Sequence, residues 1–223
     1  VTNLKGSSVV VAAVVGFHEG TQDTYEKLRE ARAAVAAGAS ELDLVLNHSL
    51  LTKHNRAQSP PVRSHDSAID STIYRELASI RSLCPGVVIK LILETSQLDA
   101  RQILAASHLA AAANLDFIKT STGFNGPGAS LPNVQLMVAA AEYLAARGVG
   151  SRQMQVKASG GVRSLEDAVK MLEAGATRLG TSSGLWIMQQ ARSKVEEAAG
   201  SVDGKERPGA TRLYTDDSVA GGY

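Results

Sequence analysis

Six times along the chain a short apolar run gives way to a segment whose apolar residues recur at helical spacing. SVVVAAVVGF, residues 8–17, is rich in β-branched valine and precedes TQDTYEKLREARAAVAAG, a helical pattern ending on glycine. ELDLVLN at 41–47 leads through a longer connection to a helix around 69–83. VVIKLILETS at 87–96 leads to a helix over 98–113, and DFIKTSTG at 116–123 to one over 131–148. MQVKASGG then precedes SLEDAVKMLEAG, and TRLGTSSG precedes LWIMQQARSKVEEAAG. Strand followed by helix, six times over, predicts a parallel sheet covered by helices. The punctuation agrees: Ser164 stands three residues before Asp167 in a capping arrangement, and Gly38, Gly148 and Gly175 fall just past helix ends. Residues 52–67 read as a surface insertion, because Pro60 and Pro61 interrupt any helix and the composition is polar. The chain from Gly200 to Tyr223 is poor in apolar residues and reads as a mobile tail, leaving one barrel-sized domain over 1–199.

Alternation within the strands separates two sheet architectures. In VVIKLILET, Ile89, Leu91 and Leu93 share one face while Lys90, Ile92 and Glu94 share the other. An open doubly wound sheet buries both faces under helices and has no place for mid-strand charge; a closed barrel has an inner face that reaches a solvent-accessible mouth. The expected fold is therefore α/β, of the TIM (β/α)8 type. Leu42, Leu44 and Leu46 would face the helices, with Asp43, Val45 and Asn47 inside. Phe117 with Lys119, and Gln155 with Lys157, would also point inward.

Charge and composition narrow the partners. A net charge of +1, from 23 Lys and Arg against 22 Asp and Glu, provides no general field for nucleic acid or an anionic membrane. No apolar run approaches the roughly 20 residues needed to span a bilayer, and VTNLKGSS lacks the apolar core of a signal peptide, so a cytoplasmic location is expected. One cysteine, Cys84, excludes an intrachain disulfide and a cysteine-cluster metal site; it reads as structural.

The inward ionisable groups suggest the chemistry. Lys119 and Lys157 sit on adjacent strands, each just before a glycine-containing loop. Burial and a cationic neighbour can bring a lysine from pKa ~10.4 to roughly 7 or 8, where a free amine attacks a carbonyl. Asp43 would relay protons, and because a protonated imine is itself the electron sink, neither a metal nor another cofactor is expected. The competing reading makes Lys90, Lys119 and Lys157 ion-paired barrel plugs with Asp43 and Glu94; for Lys90 and Glu94 themselves, an interior ion pair supporting the reactive amine is the expectation. KASGGVRS and RLGTSSG end the last two strands in small residues, where the following helix amides can face an anion: Gly160, Gly161 and Arg163 in one, Gly180, Ser182 and Ser183 in the other.

Those segments carry a resemblance. DFIKTSTGF, VKASGGVR and GATRLGTSS, together with ASELDLVLN and IKLILET, closely resemble the 2-deoxyribose-5-phosphate aldolases, a class I aldolase family, over Val9 to about Trp186. The resemblance implies that Lys119 is the Schiff-base lysine, Lys157 the lysine that tunes it, and Asp43 the proton-relay carboxylate. Gly123 and the Gly160–Arg163 and Gly180–Ser183 loops would hold the phosphate, and the terminal Tyr223 would assist proton transfer. The implied reaction is reversible cleavage of 2-deoxy-D-ribose 5-phosphate to acetaldehyde and D-glyceraldehyde 3-phosphate, by a homodimer or higher homo-oligomer. GFHEG departs from the family's GFP-like segment, placing His18 and Glu19 near the mouth as loop variation. The eight-unit barrel of the family implies that its first two strand–helix units are missing here, since Val9–Phe17 corresponds to its third strand. Two other readings stand beside this one: a non-catalytic phosphosugar-binding relative, and a metal-free isomerase or synthase using Asp43 as base.

Overall fold

Strand β1 (Ala12–Val15) begins a parallel sheet that continues, each strand beside the next in sequence, through β2 (Glu41–Val45), β3 (Val88–Ile92), β4 (Phe117–Lys119), β5 (Gln155–Ser159) and β6 (Arg178–Gly180). The structure is a computed structural model and describes residues 4–54 and 63–200. Helices α1 (Thr24–Ala36), α2 (His48–His54), α3 (Arg63–Leu83), α4 (Ala100–Ala112), α5 (Leu131–Ala146), α6 (Leu165–Glu173) and α7 (Gly184–Gly200) fill the connections. Strict sequential order of parallel strands with helical crossovers is the winding of a (β/α)8 barrel, of which the described residues hold six strand–helix units.

The two faces of the sheet divide as the alternation requires. Leu42, Leu44, Leu46, Ile89, Leu91, Leu93 and Ile118 join the continuous core under the helices. Val45, Ile92 and Phe117 are equally buried yet stand outside that cluster, on the inner side with the charged residues. The expected cap forms, with Ser164 accepting the amide of Asp167, and the structure adds a full capping box in which Asp99 exchanges bonds with Gln102. Cys84 is buried, and burial pushes its thiol pKa up, which suits a packing role.

Three local expectations change. The first apolar run forms strand only over four residues, because its ladder begins where Val11 accepts the amides of Ser40 and Glu41; Val9 and Val10 before it stay exposed. An unexpected short helix, α2, follows Asn47 directly, and the helix expected around 69–83 starts as early as Arg63, so helix reaches into both ends of the segment read as an insertion. Its middle, residues 55–62, and the tail with Tyr223 lie outside the described residues. Among the described residues no helix is long and apolar enough to cross a membrane.

Candidate active site

A carboxylate of β2 is the point on which the inner face converges. Asp43 Oδ2 accepts from Lys119 Nζ at 2.7 Å and from Lys157 Nζ at 2.8 Å, while Oδ1 accepts from Lys90 Nζ at 2.8 Å. Three ammonium groups from three different strands thus meet one anion that is 4% exposed. Lys90 is fully buried and reaches Glu41 Oε2 as well, at 2.6 Å. Glu41 in turn binds Arg178, whose guanidinium lies 4.8 Å from the centre of the Phe117 ring. The interior therefore holds two tiers. Glu41, Lys90 and Arg178 form the lower; Asp43, Lys119 and Lys157 form the upper, toward the carboxyl ends of the strands.

Burial favours the neutral amine of Lys119 and lowers its pKa. Asp43 opposes the shift, and Lys157 and Lys90 reinforce it; the outcome is a downward displacement. For Asp43 burial works toward a raised pKa, but the attraction of Lys119 and Lys157 outweighs it and holds the carboxyl far below the ordinary carboxylate range. Glu41 behaves alike: burial resists, Lys90 and Arg178 prevail, and its pKa falls. A permanent anion therefore sits against an amine that is biased toward losing its proton, the pairing that imine formation and proton relay require.

The strand ends around this pair are tied together. Thr120 Oγ1 donates to Ser159 O and accepts from Ser159 N, and Ser159 Oγ donates to Ser121 O. These bonds lock β4 to β5 just beyond the two lysines, one residue past Lys119 and two past Lys157. Gly180 is required by the same geometry, since a Cβ there would stand 2.7 Å from Ser159 Cβ and 3.2 Å from Lys157 Cε. Ser121 Oγ and Thr95 Oγ1 are buried at these strand ends, and among the described residues neither finds a hydrogen-bond partner.

The expected Lys90–Glu94 ion pair does not form. Four residues of strand separate them by about 13 Å, too far for either side chain to bridge while Glu41 and Asp43 lie closer. Glu94 adopts a left-handed backbone (φ 57°) and turns its carboxylate to the amide and hydroxyl of Thr122. It thus anchors the loop after Lys119 rather than the amine. Glu41 and Arg178 were missed by sequence reasoning, although both were visible in the alternation: Glu41 shares parity with Asp43, and Arg178 with Gly180.

The candidate anion loops adjoin each other, because Ser159 and Gly180 are register partners. Thr181 Oγ1 donates to Val162 O at 2.5 Å and accepts from Ser183 N at 2.9 Å, joining the two loops. Several helix-start amides expected to face an anion are already used: Asp167 N binds Ser164, Leu165 N binds Gln190 Oε1, and Ser183 N binds Thr181. What stays open is the exposed turn of Gly161 and Arg163 with the exposed hydroxyl of Ser182; Gly160 and Gly161 take φ of +83° and +76°. Gly123 (φ +94°) is exposed on the neighbouring loop after β4. His18 stacks on Phe124 with ring centres 5.3 Å apart, so the loop after β1 touches the loop after β4.

Gly128 lies so near Gly160 that a Cβ on it would fall 2.2 Å from the Gly160 carbonyl carbon. Gly128→Ala should force the two loops apart, at a cost of about 1–3 kcal/mol from overpacking. A lowered urea midpoint is the expected result; an unchanged midpoint would show that the two loops absorb the added methyl without cost.

Comparison with known proteins agrees with this geometry. Residues 3–190 match the family described as DeoC/LacD family aldolase. A deoxyribose-phosphate aldolase from Coccidioides immitis is 42% identical over 189 residues, which take in 85% of this chain and 63% of that protein, so the chain spans less than two thirds of this relative's length. A crystal structure from the same organism aligns with TM-score 0.75 at 42% identity, covering 86% of this chain and 68% of the other. The tetrameric deoxyribose phosphate aldolase of Aeropyrum pernix aligns with TM-score 0.71 at 31% identity, covering 86% and 72%. A match over most of the sequence, joined to lysines that meet on one buried aspartate at the strand ends, places the chain in the DeoC/LacD family of aldolases.

Proposed function

We propose that the protein is a class I aldolase that cleaves 2-deoxy-D-ribose 5-phosphate reversibly to acetaldehyde and D-glyceraldehyde 3-phosphate. The observation that carries this reading is the shared Asp43 Oδ2, held at 2.7 Å by Lys119 and 2.8 Å by Lys157. The free amine of Lys119 adds to the C1 aldehyde, and loss of water leaves a protonated imine. Removal of the proton from the C3 hydroxyl lets the C2–C3 bond break, its electron pair entering the iminium to give an enamine and releasing the phosphorylated aldehyde. Protonation of the enamine carbon and hydrolysis return acetaldehyde and Lys119. Asp43 and Lys157 carry the protons, Asp43 through its contact with the reacting nitrogen and Lys157 through the same Oδ2. Ser121 Oγ and Thr95 Oγ1, buried and without partners among the described residues, are suited to a substrate hydroxyl or a relay water. Gly161, Arg163 and Ser182 offer the open groups that hold the phosphate, and Gly123, Gly160, Gly180 and Ser183 shape the loops around it.

A cytoplasmic homodimer or higher homo-oligomer fits this reading. Val14, on the inner side of β1, is 47% exposed, β1 pairs only with β2 among the described residues, and a relative of similar fold is tetrameric.

Incubation with 2-deoxy-D-ribose 5-phosphate and borohydride should fix a reduced adduct to the peptide carrying Lys119, and EDTA should leave turnover unchanged. Turnover with Lys119 unmodified would overturn the mechanism, and binding of the sugar phosphate without turnover would favour a non-catalytic relative.

A further inference from the structure

Outside the barrel interior, a cavity of about 670 Å3 runs between α1 and α3. Tyr25, Arg29 and Arg32 line it from one face of α1, and Tyr74, Arg75 and Ser79 line it from α3. The register of the two helices is set by Glu76, which accepts from Lys27 Nζ at 2.7 Å and from Thr24 Oγ1 at 3.3 Å. Tyr25 and Tyr74 therefore stand at the same end of the groove, and Arg32 lies about 10 Å further along it.

The groove is unbalanced in charge. Arg29, Arg32 and Arg75 are all exposed, and none joins an ion pair among the described residues. Two carboxylates of the same helices are bound elsewhere: Glu76 to Lys27, and Glu30 to the amide of Gly16 at 2.7 Å. Three guanidiniums with no ion-pair partner among the described residues suit an anion, and their planar forks match phosphate oxygens. Two exposed tyrosine rings at one end add a platform for a flat ring, and the volume lies within the usual range for small-ligand clefts. A second copy of this chain is a poor occupant, because a two-fold axis through the groove would set the arginines against their own equivalents.

We infer that this groove binds a nucleoside phosphate, its phosphate on Arg29, Arg32 and Arg75 and its base against Tyr25 and Tyr74. The site is separate from the lysine cluster and takes no part in the proposed cleavage, so its test does not depend on that activity.

Calorimetric titration of the full chain with AMP, pyrophosphate and adenosine separates the possibilities. AMP should bind with an affinity that falls as salt rises, and Arg29→Ala with Arg75→Ala should weaken it by at least about tenfold. Tyr74→Ala should weaken AMP several-fold, by roughly the worth of one stacked ring, while leaving pyrophosphate unaffected. Borohydride trapping at Lys119 and the thermal midpoint should be unchanged in these surface variants, and Arg75→Lys gives a charge-preserving control. AMP affinity equal in the arginine variant and the parent would overturn the proposal, since the anion would then lie elsewhere. Equal response of AMP and pyrophosphate to Tyr74→Ala would overturn the nucleoside assignment, and a change in sedimentation without any loss of binding would show the groove to be a subunit contact instead.

Discussion

Lys119→Met should lower kcat/KM by about 10^4 or more and abolish borohydride trapping, while the protein stays folded. The magnitude follows from the chemistry: without the amine no imine forms, and neither Asp43 nor Lys157 can replace an electron sink. Folding should survive because the substitution removes a buried cation that burial already disfavours, and methionine's unbranched thioether fills much of the lysine stem's volume. Linkage gives the sign. The folded pKa of Lys119 lies below its unfolded value of ~10.4, so the folded state binds fewer protons between the two and stability rises with pH across that window. In the methionine variant this rise should disappear, as denaturant midpoints measured between pH 7 and 10 would show. Retained trapping in the variant would move the nucleophile to another lysine; a global loss of structure would mean that Lys119 is a barrel plug first.

Asp43→Asn should be the more damaging change to the fold. Asp43 accepts from three ammonium groups, and of these only Lys90 has a second carboxylate among the described residues, Glu41. Removing the anion leaves Lys119 and Lys157 facing one another in a buried site, and breaking a buried charge network of this kind costs about 3–5 kcal/mol. Proton relay through the carboxylate is lost as well, for a further drop in kcat of about 10^2–10^4. A signature separates this from simple unfolding. Asp43 raises the pKa of Lys119 against the effect of burial, so without it the pH–rate limb set by Lys119 should move to lower pH. A limb that stays in place or moves up would break the assigned coupling. In the parent, the depressed Asp43 pKa contributes stability fully above the unfolded value of ~3.9 and loses it as the pH falls toward the folded value, so acid unfolding should set in below about pH 4. The asparagine variant should lack this acid dependence.

Much of this site was legible in the order of residues. The parity that set Lys90, Lys119, Lys157 and Asp43 on one face held at every strand where it was used, because successive side chains of a strand must alternate whatever lies around them. The same rule would have found Glu41 and Arg178 had it been carried to both ends of β2 and β6. It misled for Lys90 and Glu94, since sharing a face does not mean sharing a level: the two are offset along the strand, and Glu94 leaves it in a left-handed turn. Helix-start amides were overcounted for a related reason. Sequence shows that Leu165 opens a helix, but not that Gln190 of the next helix reaches back to take its amide.

The amino-acid order by itself determined the six strand–helix units, their parallel winding and the side of the sheet on which each charge lies, because these follow from periodicities set by local backbone geometry. Only the tertiary structure decided which partners meet. Lys90, Lys119 and Lys157 stand 47, 76 and 114 residues from Asp43, and no local rule fixes the relative height of strands so far apart. That height comes from the register of one strand on the next, and from the low-dielectric interior in which one carboxylate becomes the most favourable place for three amines.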